Sequence, residues 1–525
     1  MISTWRRNRR THTVGVFVAG LTALGLAACS GSPSTTGTGS RQGGPAAPNP
    51  NPGVGAPGAP ASAGAGAPGA DSRGVASPAP TSRPTSTRDF SMTDPAKDRL
   101  STFALDIDTG SYTRFRDATN RGQRVSPNEV RTEEFVNYFE QEYAAPVDGL
   151  DMRVDAATLP FGDHHTIVRV GVRSADVTDS ARPDADLSLV VDCSGSMADG
   201  NKMPMTKAAL TTLLRSLRPT DKVAIVCYST TARVLLPPTP ASERDGIQRA
   251  IDSLRPEQST NAEAGLDLGY QQARAMATSG RMTRVILVSD GVANVGNTSP
   301  EGILAKIGDA AREGISLISV GVGISGYNDR LLEQLADKGN GWHVYVDTQA
   351  EADRVFGQNL TGSLVITARQ AKAQVDFDPS RVAGYRLLGY ENRAVADRDF
   401  RNDSVDGGEI FAGHSSTALY EVVLAPGASG VALRATVRYV DAGGATVERS
   451  AQLPAAQTTA QLSEAHRRLH QDVLIAMLAD RLMTGPWSGQ LSAADLQTQA
   501  NAVAGRLDGD AAVGELLGLI RRSQV

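Results

Sequence analysis

At 525 residues the chain is too long for one ordinary domain, and at about 150 residues per domain it holds three or so. Lys and Arg number 52 against 57 Asp and Glu, a net charge of −5 that supplies no overall basic field to hold nucleic acid or an acidic bilayer. Three cysteines exclude a disulfide scaffold, and hydrophobic residues at 40% suit a globular chain, with 53 Gly and 27 Pro unevenly spread.

Arg6, Arg7, Arg9 and Arg10 form a basic start, followed by the mostly apolar run Val14 to Leu26 and then Ala27-Ala28-Cys29. Residues 1–28 therefore read as a secretory signal with a lipobox, and Cys29 as the thiol that takes a diacylglycerol and becomes the new N-terminus. The apolar run has 13 residues where a bilayer span needs about 20, which disfavours a retained transmembrane anchor. The expected location is outside the cytoplasm, tied to the cell membrane by lipid. In residues 29–89, Gly, Pro, Ala, Ser and Thr make up 49 of the 59 residues from Ser30 to Arg88, and Val54 and Val75 are the only large aliphatics. Such a segment cannot offset its chain entropy and is expected to be a disordered tether, about 40–45 Å across as a coil. Its Ser, Thr and Pro content equally fits an O-glycosylated stalk.

In residues 90–182, Met152 to Ala157 and Thr166 to Arg173 alternate in the manner of exposed strands. Asp108-Thr109-Gly110-Ser111 matches the string that carries the catalytic carboxylate of aspartic proteases, but that mechanism needs two carboxylates and no second such string occurs. A strand end with a helix cap accounts for the same residues.

Residues 183–365 change pattern. Leu187 to Val191, Val223 to Val226, Val285 to Val288 and Ile315 to Val320 are short, near-continuous apolar runs, the signature of buried parallel strands. Met205 to Leu217, Asn261 to Ala277 and Pro300 to Arg312 between them carry helical periodicity, so the fold class is α/β with a doubly wound, mostly parallel sheet. Ligands sit beyond the carboxyl ends of such strands. There stand Asp192-Cys193-Ser194-Gly195-Ser196 and Ser289-Asp290-Gly291, with Ser259-Thr260-Asn261 at a helix start. Asp192, Ser194, Ser196, Thr260 and Asp290 together offer an all-oxygen set with two formal negative charges, which suits Mg²⁺. Cys193 and Cys227 fall on neighbouring strands, and a buried pair of free thiols is expected over a bridge.

Asp-x-Ser-x-Ser, then Thr, then Asp-Gly, each after the expected element, resembles the von Willebrand factor type A domain. The resemblance implies a Rossmann-like fold binding Mg²⁺ or Mn²⁺ at a metal-ion-dependent adhesion site. Ser194, Ser196 and Thr260 would contact the metal directly or switch to water, Asp192 and Asp290 would act largely through water, and a partner protein's carboxylate would complete the shell. Glu257-Gln258 stand where the family often has a Gly pair.

Beyond this unit, Val375 to Phe377, Tyr385 to Tyr390, Ala418 to Leu424 and Leu433 to Val440 again alternate as strands, in a β-rich segment covering 366–455. Each flank has too few strands to be stable alone, so both are expected to form one β-sandwich with the α/β domain inserted. Residues 456–525 return to helical periodicity and are expected to pack on the sandwich. His466 and His470 have zincin spacing, but two arginines lie between them and the catalytic Glu is missing, so they read as a solvated helix face, as does the His164-His165 turn. Asp106 to Tyr112, Val130 to Phe139, Tyr385 to Asn392 and Gly413 to Glu421 are similar to the N-terminal module and the C-terminal domain of bacterial von Willebrand A lipoproteins.

The resulting expectation is a non-enzymatic envelope lipoprotein that binds an acidic residue of a partner protein through its metal site. No nucleophile, base and orienting group can be assembled, and no phosphate loop is present. The alternative is a structural or regulatory envelope protein whose metal site holds its own acidic residue or takes no external ligand.

Overall fold

The structure, a computed structural model, describes residues 88–162, 165–291, 300–323, 329–458 and 460–523. The signal, Cys29, nearly all of the tether and His164 lie outside the described residues. The first flank supplies β1 (Leu100–Ala104), α1 (Gly110–Asn120), α2 (Thr132–Asn137), β2 (Leu150–Thr158) and β3 (His165–Ser174). The α/β unit runs through β4 (Ala185–Asp192), α3 (Lys202–Ser216), β5 (Lys222–Tyr228), β6 (Ala232–Pro240), α4 (Arg244–Asp252), α5 (Ala262–Met276) and β7 (Met282–Ser289). It continues through α6 (Pro300–Arg312), β8 (Ser316–Gly321), α7 (Asp329–Lys338), β9 (His343–Tyr345), α8 (Gln349–Ala352) and α9 (Leu360–Leu364). The second flank supplies β10 (Ile366–Phe377), β11 (Val382–Leu388), β12 (Gly408–Phe411), β13 (Ser415–Leu424), β14 (Val431–Asp441) and β15 (Thr446–Pro454). The chain then forms α10 (Arg467–Met483), α11 (Ala493–Arg506) and α12 (Ala511–Ser523).

The six strands of the α/β unit lie in the order β6-β5-β4-β7-β8-β9, parallel except for the edge strand β6. Every residue of β4, β7 and β8 is buried, which is why these strands read as continuous apolar runs rather than alternating ones. Helix α5 lies close on the sheet because two of its facing residues have no side chain. A Cβ on Gly269 would stand 2.2 Å from Val190 Cγ2, and one on Gly265 2.5 Å from the Tyr228 ring. The order reverses at β4, so the loops after β4 and β7 open side by side at one sheet edge.

Cys193 and Cys227 are bridged, with Cα atoms 5.9 Å apart. This corrects the expected free thiols. Parallel pairing sets Val191 opposite Cys227, and Cys193 follows just past the strand end, within the reach of a disulfide. The bond closes a loop with a sequence separation of 34. Replacing both cysteines with alanine is expected to lower stability by about 2–4 kcal/mol in denaturant unfolding.

The two flanks build the sandwich jointly. One sheet has the order β11-β13-β3-β2; the other has β1-β10-β14-β15, with β12 also on β10. Pairing of β3 with β13 and of β1 with β10 joins residues on either side of the inserted domain. Phe377 stacks on Tyr385 across the sandwich with ring centroids 4.0 Å apart, and the Leu150 amide donates to the Tyr439 hydroxyl at 3.0 Å. Strand β3 is buried on both faces, correcting its reading as an exposed strand. Its outer face is covered by α10, whose Leu469 and Val473 share a core with Ile167. Buried Arg169 on that face bonds Asp155, Gln141 and Asp472. His470 is likewise buried, not solvated: its ring meets Gln499 Oε1 at 2.8 Å, while His466 caps α10 by accepting from the Arg468 amide.

A cavity of about 320 Å³ lies where β1, α7 and the β11–β12 connection meet, lined by Asp106, Asp108, Asp337, Arg393, Asp406 and Glu409 among others. Burial, then the charges of Asp406 and Asp337, push the Glu409 carboxyl up to about 8, against the weaker pull of Arg369 and Arg393. The folded protein therefore holds a proton there that the unfolded chain releases, so this group's contribution is complete below its ordinary value near 4.5 and is lost as pH rises to about 8. Glu409→Gln is expected to leave stability unchanged near pH 4 and to raise it by on the order of 1–3 kcal/mol at pH 8, read from denaturant midpoints at the two pH values.

Candidate metal site

The structure brings the residues singled out in the sequence to the carboxyl edge of the six-stranded sheet. Asp192 ends β4, wholly buried, and its carboxylate organises the loop that follows. The Ser194 amide donates to Asp192 Oδ1 at 2.8 Å, and the Ser289 and Tyr228 hydroxyls donate to Oδ2 at 2.8 and 3.2 Å. The Ser194 and Ser196 hydroxyl oxygens stand 2.9 Å apart, so both face one locality. Asp290, also wholly buried, follows β7 and is turned by Gly291, whose φ of +82° needs a glycine.

Thr260 is buried in a third loop, stitched by backbone hydrogen bonds to the first loop before it and to the end of β5 after it. The Gly195 amide donates to the Gln258 carbonyl at 2.9 Å, the Glu257 amide to the Cys193 carbonyl at 2.7 Å, and the Asn261 amide to the Ser229 carbonyl at 2.7 Å. Asn261 caps α5, accepting from the Ala264 amide. Glu257 does not disturb this loop, because its carboxylate is held by Ser229 and Arg233. Residues 255–259 and Gly195 are exposed, so the site opens at the surface.

Burial lifts the Asp192 carboxyl above its ordinary range; the Asp290 charge adds to this, and the hydrogen bonds from Ser194 and Ser289 oppose it. Two partners went unread in the sequence. Tyr228 lies directly beside Asp192 in the β4–β5 register, and its hydroxyl is pushed well up by burial and then by the Asp192 charge. Lys202, at the start of α3, places its buried ammonium 2.9 Å from Asp290 Oδ2. Its stem crosses Gly323, where a Cβ would come within 2.5 Å of it. A lysine at a helix start six residues beyond the serines gives no signal by itself, since such residues are ordinarily solvated. The donors are carboxylate and hydroxyl oxygens only, a set that fits a hard dication.

An inserted, doubly wound sheet with this oxygen set at its carboxyl edge defines a von Willebrand factor type A domain, a class of module that generally serves interaction rather than catalysis. The family model described as von Willebrand factor type A domain matches residues 186–358, that described as von Willebrand factor matches 82–169, and that described as uncharacterized protein YfbK, C-terminal, matches 362–446. In chain order, a von Willebrand factor type A domain is thus followed by a segment similar to this C-terminal module. It is 37% identical over 338 residues to the uncharacterized protein YfbK of Escherichia coli (strain K12), covering 63% of this chain and 59% of the relative. It is 28% identical over 209 residues to the uncharacterized protein sll0103 of Synechocystis sp., covering 40% of this chain and 48% of the relative. The chain thus spans about half to three-fifths of these relatives' length. A solved von Willebrand factor type A structure from Catenulispora acidiphila is 18% identical with a TM-score of 0.41, covering 73% of this chain and 88% of that one.

Proposed function

We propose that the protein is an exported lipoprotein, anchored through Cys29, whose von Willebrand factor type A domain binds a carboxylate of a partner protein with the help of Mg²⁺ or Mn²⁺. The observation that carries the reading is the stitching of three loops around buried Asp192 and Asp290, with the hydroxyls of Ser194 and Ser196 together beside them. Asp192, Ser194, Ser196, Thr260 and Asp290 would hold the ion, which when bound supplies an open position for an oxygen ligand. The chain's own part is to hold these oxygens in place: Tyr228 and Ser289 orient Asp192, and Lys202 orients Asp290. The domain performs no chemistry of its own in this reading.

The second reading, a scaffold that takes no external ligand, is favoured by Lys202, which already offsets the charge of Asp290. Calorimetric titration of the full chain separates the two. The first reading expects saturable heats for Mg²⁺ and Mn²⁺, and binding of a Glu-rich peptide that EDTA abolishes. No metal binding with or without the peptide would overturn it in favour of the scaffold.

A further inference from the structure

A second concentration of carboxylates lies apart from the site above. Asp106 follows β1, and Glu133 and Glu134 lie in α2; one carboxylate oxygen from each falls within 4.8 Å of the others. All three residues are at most 3% exposed. With Asp108 and Glu333, which are also buried, they make five carboxylates served by the guanidiniums of Arg131 and Arg393. Arg393 is shared further with Asp337, and Arg131 is divided between Glu134 and Glu333. These carboxylates stand in a place removed from water, where one left uncompensated is costly.

The shortage falls on particular atoms. Glu134 is supplied, by the Ser111 amide at 2.7 Å and by Arg131 at 2.6 Å. Asp106 Oδ1 accepts from the Asp108 amide and from Arg393, but its Oδ2 accepts nothing. Glu133 accepts no hydrogen bond at either carboxylate oxygen, and the strongest charges acting on it, from Glu391, Glu134 and Asp106, are all acidic. Its carboxylate sits where Gly389, at φ +88°, leaves room: a Cβ there would lie 2.1 Å from Glu133 Oε2. A fully buried glutamate with two open oxygens thus lies within 4.8 Å of a carboxylate oxygen of Asp106 and one of Glu134.

We infer that Asp106, Glu133 and Glu134 form a Ca²⁺ site at the junction of the first flank with β11 and the inserted domain, separate from the site at Asp192. The class of ion follows from the donors. All are hard oxygens, a glutamate with both oxygens open can bind in a bidentate manner, and three oxygens within 4.8 Å of one another can share one Ca²⁺ shell, whose oxygen ligands lie about 2.3–2.6 Å from the ion. Mg²⁺ requires a tighter octahedron and retains its waters. Asp106 lines the 320 Å³ cavity, which gives the ion a way in. Because the surrounding residues come from the first flank, α7 and the segment after β11, an ion here would lock the inserted domain to the sandwich.

The test uses the full chain stripped with EDTA, in three forms: the parent, Asp192→Ala, and Glu133→Gln, with Asp106→Asn as the second variant of the new site. Ca²⁺ at 100-fold above its Kd is expected to raise the melting midpoint by about 3 °C in the parent and in Asp192→Ala, and by nothing in Glu133→Gln or Asp106→Asn. Tb³⁺ luminescence sensitised by tyrosine is expected to follow the same pattern and to be displaced by Ca²⁺. Glu133→Gln keeps the shape and removes a buried charge, so without metal it is expected to melt no lower than the parent. The inference is overturned by the absence of any Ca²⁺ shift, which would mean that the carboxyl groups stay protonated, or by a shift lost in Asp192→Ala and kept in Glu133→Gln. Persistence of the shift in Asp192→Ala separates this site from the fate of the Mg²⁺ reading.

Discussion

Asp192→Ala is expected to weaken Mg²⁺ and Mn²⁺ binding by the full chain about 100-fold, because the residue both contributes charge and orders the donors around it. Its two oxygens hold the Ser194 amide, the Ser289 hydroxyl and the Tyr228 hydroxyl. Without them the first loop loses the bond that presents the Ser194 hydroxyl beside Ser196. The cost to folding is smaller, about 1–2 kcal/mol, since the orphaned donors are partly offset by the removal of a carboxylate that burial already disfavours. Asp192→Asn sharpens the test. It keeps the volume of the side chain and removes only the charge, so it should melt close to the parent and still lose most of the metal affinity. Calorimetry beside thermal unfolding in EDTA reads both quantities, and unchanged metal heats in the two variants would rule out the site.

Arg116→Ala is expected to destabilise the chain by about 3–5 kcal/mol, the loss incurred when one partner of a buried ion pair is removed. Arg116 is 2% exposed on α1 and reaches into two other parts of the protein. Its guanidinium bonds Asp347 at 2.5 and 2.9 Å and Glu351 at 3.2 Å in the inserted domain, and Glu515 of α12 at 3.3 Å. Tyr138 adds a further contact, with the guanidinium carbon 5.2 Å from its ring centre. Alanine would leave Asp347 buried without its cation. Burial already holds the Asp347 carboxyl above its ordinary range while Arg116 opposes this, so the penalty should shrink as acid neutralises it. Denaturant unfolding of Arg116→Ala, Asp347→Asn and the double variant at pH 7 and pH 5 checks the expectation. The double variant should lose less than the two single losses together, and additive losses would show that the pair is not coupled.

The parts of this protein that were legible in its sequence share a cause. Helix Pro300–Arg312 and the strands around Leu189, Ile225, Ile286 and Leu317 follow from local periodicity, because a helix or strand buried on known faces must repeat its apolar residues at the spacing of its backbone. The positions of Asp192, Ser194, Ser196, Thr260 and Asp290 were legible because the first three and Asp290 stand at or just past the end of a strand and Thr260 just before a helix, elements that could be read, at the edge where such sheets place ligands. Strand β6 was not legible: Pro237, Pro238 and Pro240 suppress the usual signal, and only its place as an antiparallel edge tolerates them.

Charge and solvation were decided elsewhere. Arg116 meets Asp347 and Glu515 across 231 and 399 residues, and Arg169 meets Asp472 across 303. His470 looks solvated until α11 covers it, and β3 looks half exposed until α10 does. By itself the sequence determined which segments form the inserted α/β domain, that the flanks belong to one sandwich, and that the residues from Asp192 to Ser196 and Asp290 follow strands at one sheet edge. Only the tertiary structure decided that Cys193 and Cys227 bridge, that Lys202 attends Asp290, and that Glu133 is buried with neither oxygen paired. The physical reason is that periodicity is imposed by the local backbone, whereas the state of a thiol or a buried charge depends on partners that only the completed packing brings within a few ångströms.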